Sequence, residues 1–366
     1  MIKIVHILTD TNIGGAGVWL LNYLKSYDTK KYNVHVLLPQ NSQLTQKVQD
    51  LGVKVTEVEH IKDMSFSRQG TKEFEKLFRK IKPQIVHSHA SLSARLAAKK
   101  LGIKIVNTRH CLEDTKRFPK NLIYGFVNNH LSNIIIGVSR ATCENLLADG
   151  VKKAKLRLVY NGVYPLKKLD EETKRQIRIT YNIPENVTVV GIVARLEDVK
   201  NHELFLHSAV KIAKERPDTF FIIAGDGSCR EKLINLCREL KIEDRVRFIG
   251  YQKDVSEIMN IIDINTLTSK REALSLSLIE GMSIEIPAVS TDSGGPCEVL
   301  GKNECGIIVE NDNVEAFSNA VISLIDDKEL RKKLGENGKK RAKSVFGIDK
   351  MTAQLDEIYT NLVNKA

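Results

Sequence analysis

"VTVVGIVARLEDVKN", residues 187–201, sets a nearly continuous apolar run of strand length directly against a charged loop. A run rich in Val and Ile is what a strand buried on both faces requires, as in a parallel sheet flanked by helices. The pattern recurs downstream in "TFFIIAGDG", "RVRFIGY", "DINTLTS" and "IPAVSTD", with helical segments between them. Upstream it is present in "IKIVHIL", "NVHVLLP", "QIVHSHA", "IKIVNTR" and "NIIIGVS". There the intervening "AGVWLLNYLKSY", "TKEFEKLFRKI" and "LSARLAAKKLG" have helical spacing, and Gly102 serves the last as a helix stop. Two β-α-β series in one chain predict an α/β protein of two tandem Rossmann-like, doubly wound domains. The polar stretch "KKLDEETKRQIRITYNIPEN", a short helix followed by Pro184, reads as the bridge.

We place the first domain at 1–165 and the second at 166–348. A final helix, 349–366, is assigned to the first domain, although periodicity alone does not reveal which domain it packs on. Ligands of such sheets bind at the carboxyl ends of the strands, so both sets of ends are expected to face a central cleft.

Composition narrows the class. The 366 residues exceed what one core usually organises. Hydrophobic residues at 42% and charged residues at 28% fit a soluble globular protein. No apolar run approaches the roughly 20 residues of a membrane helix, and the opening "MIKIVHILTD" reads as a strand too short for a signal peptide. The cysteines at 111, 143, 229, 237, 297 and 305 form no C-x-x-C pair and have no histidine at zinc-ligand spacing. They are expected to be buried reduced thiols of a cytosolic protein, with no metal site.

Charge is uneven along the chain. Residues 1–165 hold 26 Lys/Arg against 12 Asp/Glu, whereas residues 166–366 hold 30 against 33. A basic half of this kind suits nucleic acid, an anionic membrane or an acidic small molecule; a lysine-rich solubilising surface is the bland alternative. No nucleic-acid recognition motif accompanies it, so nucleic acid is not an expected partner.

Several strand ends carry candidate chemistry. Gly14, Gly15 and Gly17 lie between the first strand and helix, where backbone N–H groups can approach phosphate oxygens or simply make a tight connection. They match neither G-x-G-x-x-G nor the G-K-[ST] ending of a P-loop. Arg195 and Lys200 follow the strand of 187–194 in a loop, where two cations can neutralise a diphosphate. Gly225 and Asp226 occupy another strand-to-helix turn, the aspartate suited to nucleotide recognition or helix capping. "TDSGGPCEVL" is a third such turn. In "REALSLSLIEGMS", residues 271–283, Glu272 falls in a loop and Glu280 about two helical turns on. The first can accept hydrogen bonds from sugar hydroxyls and the second from a ribose. The helix start between them, Ala273, Leu274, Ser275 and Leu276, offers N–H groups to a phosphate. An ionised Glu280 in apolar surroundings costs free energy unless partnered.

Together, "GGAGVWLLNYL", "VSRATCENLLADGV", "LVYNGV", "GIVARLEDVKN", "GDGSCREKL", "VRFIGYQKDVSEIMNIIDI", "EALSLSLIEGMS" and "PAVSTDSGGPCEVL" resemble the family 4 retaining glycosyltransferases of GT-B fold, over about residues 1–345. The resemblance implies that Arg195 and Lys200 bind the diphosphate of a nucleotide sugar and stabilise the leaving group. It implies that Glu272 contacts the donor sugar, Glu280 the ribose, and Gly15 with its neighbours the diphosphate from the first domain. His110, in "NTRH", matches the family's active-site histidine near the reacting sugar; alone it would read as structural. Three positions depart from the family pattern: Glu285 where a small glycine is usual, Tyr164 where an acid follows "YNGV", and Ala273 where glycine is common.

The implied reaction is transfer from a nucleoside diphosphate sugar, with a UDP-sugar as expected donor, retaining the anomeric configuration. The chain contains no D-x-D triplet to hold a metal, and no cofactor is expected. A lipid-linked or saccharide acceptor in cell-surface glycan biosynthesis would sit on the basic first domain, in peripheral contact with an anionic membrane. "RKIKP", "RHCLEDTKRFPK" and "GVKKAKLR" supply candidate contacts. A cytoplasmic location at the inner face of the plasma membrane follows from that reading. A sugar-nucleotide epimerase of the same shape is the alternative.

Overall fold

The computed structural model describes residues 1–364, and the last two positions of the helix expected at 349–366 lie outside the described residues. The chain divides into two compact units. One spans Met1–Gly162 and takes in the chain from Ile348 onward; the other is Val163–Gly347. The helix of the expected bridge, Glu171–Thr180, belongs to the second unit.

Among the described residues the first unit holds seven parallel strands: β1 (Ile2–Ile7), β2 (Tyr32–Pro39), β3 (Lys54–Val58), β4 (Ile85–Ser88), β5 (Lys104–Arg109), β6 (Ile134–Gly137) and β7 (Leu156–Leu158). Their order is β3-β2-β1-β4-β5-β6-β7. The second unit holds six: β8 (Thr188–Val193), β9 (Thr219–Ala224), β10 (Val246–Gly250), β11 (Ile264–Leu267), β12 (Ala288–Thr291) and β13 (Gly306–Val309), in the order β10-β9-β8-β11-β12-β13. Every apolar run quoted above is a strand. The three strands not read from the sequence, β3, β7 and β13, all lie at sheet edges. "KVTEV" and "LRL" carry polar residues on a half-covered edge, so they lack the signature of a central strand.

In each sheet the order reverses once, between β1 and β4 and between β8 and β11. Reversal opens a crevice beyond the strand carboxyl ends, because the helices on either side lead away in opposite directions.

Alternation along β1 divides the core of the first unit. Val5 and Ile7 face the helix Arg68–Ile81 through Phe74 and Phe78. Ile4 faces the other side, with Trp19, Tyr23, Leu355 and Tyr359. The last two come from the helix Ile348–Asn364, which packs on the helix Gly15–Ser26 of the first unit. Tyr32 donates its hydroxyl to Asp356 at 2.7 Å, and Lys31 pairs with the same carboxylate at 2.6 Å. That ion pair is about one-third exposed and adds little; the buried apolar face holds the helix.

Candidate active site

In the second unit, buried Leu196 pins the loop after β8: its N–H donates to the Asp226 carbonyl at 3.0 Å and its carbonyl accepts from Cys229 at 2.9 Å. This leaves Arg195 exposed just beyond the strand end. Lys200 closes a short 3-10 turn, Asp198–Lys200, and its carbonyl accepts from Thr268 Oγ1 at 2.9 Å, beyond the end of β11. The Lys200 ammonium donates to the Glu272 carboxylate, which also accepts from Ser269 Oγ at 3.3 Å. The structure therefore brings together two residues that the sequence assigned separately to diphosphate and sugar.

The backbone fixes Glu272 from below. Its N–H donates to Ser293 and its carbonyl accepts from Gly295, both at 2.9 Å. Gly295 must be glycine, because a Cβ there would stand 2.0 Å from the Ala273 carbonyl. The third glycine turn of the sequence thus serves to seat the Glu272 loop. Ala273, Leu274 and Ser275 are buried, and Ser275 Oγ accepts from Leu278 N–H at 3.4 Å. This cap starts the helix at Leu276, the last of the four residues that the sequence reading assigns to the helix start, with bounds Leu276–Ser283. The first-turn N–H groups of Leu276 and Ser277 have no intrahelical acceptor.

Glu280 lies in this helix, partly buried. Burial, and then the charge of Asp254, push its carboxyl up to about 7, and among the described residues no ion pair relieves it.

Gly225 adopts φ +142°, and a Cβ there would meet the Ala194 carbonyl at 1.9 Å, so glycine is required. Asp226 does not cap the next helix. Its carboxylate accepts from the adjacent Gly227 N–H at 2.8 Å, and the helix Arg230–Glu239 starts at Cys229 without a side-chain cap.

In the first unit the glycine turn departs from expectation. Gly14 is the N-cap of the helix Gly15–Ser26, so Gly15 and Gly17 lie in its first turn, and no positive φ occurs at any of the three. Gly17 is buried against Leu44, 3.2 Å from where its Cβ would be, which makes it a packing glycine. Gly14 and Gly15 have open space on that side, so only they leave the helix N-terminus approachable.

His110 follows β5 and ends a chain of rings. Its Nε2 lies 2.8 Å from His89 Nδ1, and His89 Nε2 lies 3.3 Å from His6 Nδ1. His110 Nδ1 is buried without a partner. Burial lowers His6 and His110 to about 3 and holds His89 and His87 well below the usual histidine range. Neutral rings carry one N–H each, so the tautomer of His6 fixes that of His89 and, through it, whether His110 Nδ1 donates or accepts. His87 stacks on His89 at 4.5 Å and bonds Tyr359 and Thr108, both at 2.6 Å. Nitrogens of His6, His87 and His89 lie within 4.8 Å of one another. A metal there would have to break a bond of His87, both of whose nitrogens are engaged.

The sequence pattern of the glycosyl transferases group 1 matches residues 173–341, and that of glycosyltransferase family 4 matches residues 13–165. The chain belongs to the group 1, family 4 glycosyltransferases. This glycosyltransferase is 28% identical to N-acetyl-alpha-D-glucosaminyl L-malate synthase of Bacillus anthracis, covering 76% of this chain and 75% of the relative. It is 26% identical to UDP-Gal:alpha-D-GlcNAc-diphosphoundecaprenol alpha-1,3-galactosyltransferase of Escherichia coli, covering 99% and 97%. Its fold is that of Anabaena HepE crystallised with UDP and glucose: TM-score 0.88 at 18% identity, covering 98% and 100% of the two chains. The architecture is GT-B, two α/β units each built on a parallel sheet.

Two expectations about the glycosyltransferase need correction or a physical account. None of the six cysteines forms a disulfide, but only Cys237 and Cys305 are buried, and Cys111 is exposed. Helix and loop positions, which residue type does not set, decide this. Glu285, where the family carries glycine, sits at φ +72°, a conformation glycine adopts freely. Its carboxylate pairs with Lys168 at 2.8 Å and Lys339 at 3.0 Å, contacts a glycine cannot make. Tyr164 is exposed, and Ala273 is buried against Gly295.

Proposed function

We propose that the enzyme transfers a sugar from a nucleoside diphosphate sugar, a UDP-sugar first among candidates, to a lipid-linked or saccharide acceptor, with retention. The observation that carries this reading is the Lys200–Glu272 pair, with Arg195 five residues before Lys200 and the helix start at Leu276 four residues after Glu272. As the C1–O bond breaks, its electron pair goes to the diphosphate, whose charge Arg195, Lys200 and the helix amides take up. The acceptor hydroxyl attacks C1 from the same face and passes its proton to the departing phosphate oxygen, so no protein nucleophile and no metal are required. Glu272 holds the sugar, Glu280 the ribose, and Gly14 and Gly15 the diphosphate; His110 is assigned to the reacting sugar. Gly225 and exposed Asp226, at the turn after β9, are assigned to the nucleotide, and Gly17 keeps a packing role against Leu44.

The Escherichia coli relative is named for a UDP-Gal donor and a diphosphoundecaprenol-linked acceptor, and HepE was crystallised with UDP and glucose. Both support the donor class, and the first supports a lipid-linked acceptor. The basic surplus of residues 1–165 supports peripheral contact of the first unit, as acceptor unit, with an anionic membrane at the cytoplasmic face. Among the described residues no helix is long and apolar enough to cross one.

The test is a melting-temperature screen of UDP-, GDP- and ADP-sugars with EDTA present, then transfer to a polyprenyl-diphosphate sugar and NMR of the new linkage. A bound donor raises the melting temperature by mass action. Inversion at C1, or an epimer formed from donor alone without released nucleotide, would overturn the reading.

A further inference from the structure

The helix Lys120–Leu131 of the first unit is two-faced in an unusual direction. Gly125, Asn128 and Leu131 are its buried positions. Asn128 Oδ1 accepts from Arg95 Nη1 at 2.7 Å, and a Cβ on Gly125 would meet the Gly150 carbonyl at 2.5 Å, so this face is locked to the unit. The opposite face is apolar and open: Leu122 is 57% exposed, Ile123 62% and Phe126 71%, and Phe118 just ahead of the helix is 78% exposed. Single exposed apolar residues are ordinary; four within nine residues, on the outer face of one helix and the turn before it, are not.

Charge says what covers them. Residues 118–131 contain no acid. Exposed Arg117 and Lys120 stand at the amino end. At the carboxyl end, Lys152 is tied to the helix by its N–H to Asn129 Oδ1 at 2.9 Å, with exposed Lys153 beside it. Upstream, the Glu113 carboxylate is already paired with Arg109 and Lys116. An apolar stripe bracketed by cations is the pattern of a helix lying in the interface of an anionic bilayer, with its rings among the acyl chains and its cations at the headgroups.

We propose that Phe118, Leu122, Ile123 and Phe126 insert into an anionic membrane surface and that Arg117, Lys120, Lys152 and Lys153 hold it electrostatically. This deepens the membrane contact proposed above and rests on it, but it assigns the grip to apolar residues rather than to charge alone.

The test uses the full chain and vesicles of phosphatidylcholine with 0 or 40% phosphatidylglycerol, separated by flotation at low and at 0.5 M salt. Wild type is expected to float with the anionic vesicles and to retain part of that binding in high salt, where headgroup attraction is screened. Phe118→Ser/Ile123→Ser/Phe126→Ser should lose at least tenfold in binding at either salt while keeping its nucleotide-dependent melting shift. Emission of a Phe126→Trp variant should move to the blue with anionic vesicles. Unchanged flotation of the triple variant, or no blue shift, would overturn insertion. A concentration-dependent dimer that the triple variant abolishes, with no vesicle binding by wild type, would make the face a contact between two copies and overturn it too. Failure of sugar transfer in a protein that floats would instead strike the proposed function.

Discussion

The Lys200 ammonium and the Glu272 carboxylate are bonded to each other beyond the carboxyl ends of β8 and β11, with side chains only 17% and 13% exposed. An arriving diphosphate must compete with Glu272 for Lys200. Lys200→Ala is therefore expected to remove the melting shift with UDP and to weaken binding at least tenfold. Glu272→Ala should bind UDP as well as wild type or better, yet lose about 100-fold in turnover with the UDP-sugar, a usual size for a lost transition-state contact. Calorimetry with UDP and with UDP-sugar checks both; if neither variant differs from wild type, the donor site lies elsewhere.

Glu280 makes stability and binding depend on pH. Its folded value, about 7, stands above the ordinary 4.5, so between those values the folded chain holds a proton that the unfolded chain has lost. Stability then falls as pH rises through that window, by up to roughly 3 kcal/mol. Glu280→Gln should flatten the melting-temperature profile between pH 5 and 7.5. Ribose hydroxyls donate to an ionised carboxylate, so nucleotide affinity should rise from pH 6 to 8 in wild type and stay level in the variant. Parallel profiles would remove Glu280 from the ribose.

His89 bonds both His6 and His110. His89→Phe keeps a ring in the stack but leaves the His110 tautomer unset. Turnover should fall about tenfold, a modest share of what a positioned proton-handling group contributes, with the donor KM within twofold and a changed pH–rate profile. An unaltered profile would make the chain of rings mere packing.

Tyr359 ties the helix Ile348–Asn364 to His87 at 2.6 Å and is fully buried. Tyr359→Ala should cost about 3–5 kcal/mol in urea unfolding of the full chain. Tyr359→Phe, which only strands His87 Nδ1, should cost about 1–3 kcal/mol. Equal losses would mean that the ring's packing contributes nothing beyond the hydroxyl.

Much of the candidate site was legible because charges at strand ends announce themselves: Arg195, Lys200 and Glu272 each follow an apolar run in the sequence. The mutual pairing of Lys200 and Glu272 was not legible, since it needs β8 and β11 to be neighbours. His6, His87 and His89 went unread for the same reason. A signal existed in the tripeptide "IVH" at both 4–6 and 85–87, which parallel pairing of β1 with β4 sets side by side, His6 opposite His87. Gly17 misled because a glycine in a helix for packing and a glycine at a phosphate look alike in one dimension.

By itself the sequence determined the central strands, the two α/β series and the amphipathic final helix, because burial on two faces or one stripe dictates residue type locally. Only the tertiary structure decided the edge strands β3, β7 and β13, the partner of that final helix, the histidine chain and the apolar face left open at Phe126. These depend on which segments meet in space, and no local preference encodes contacts between residues far apart in the chain.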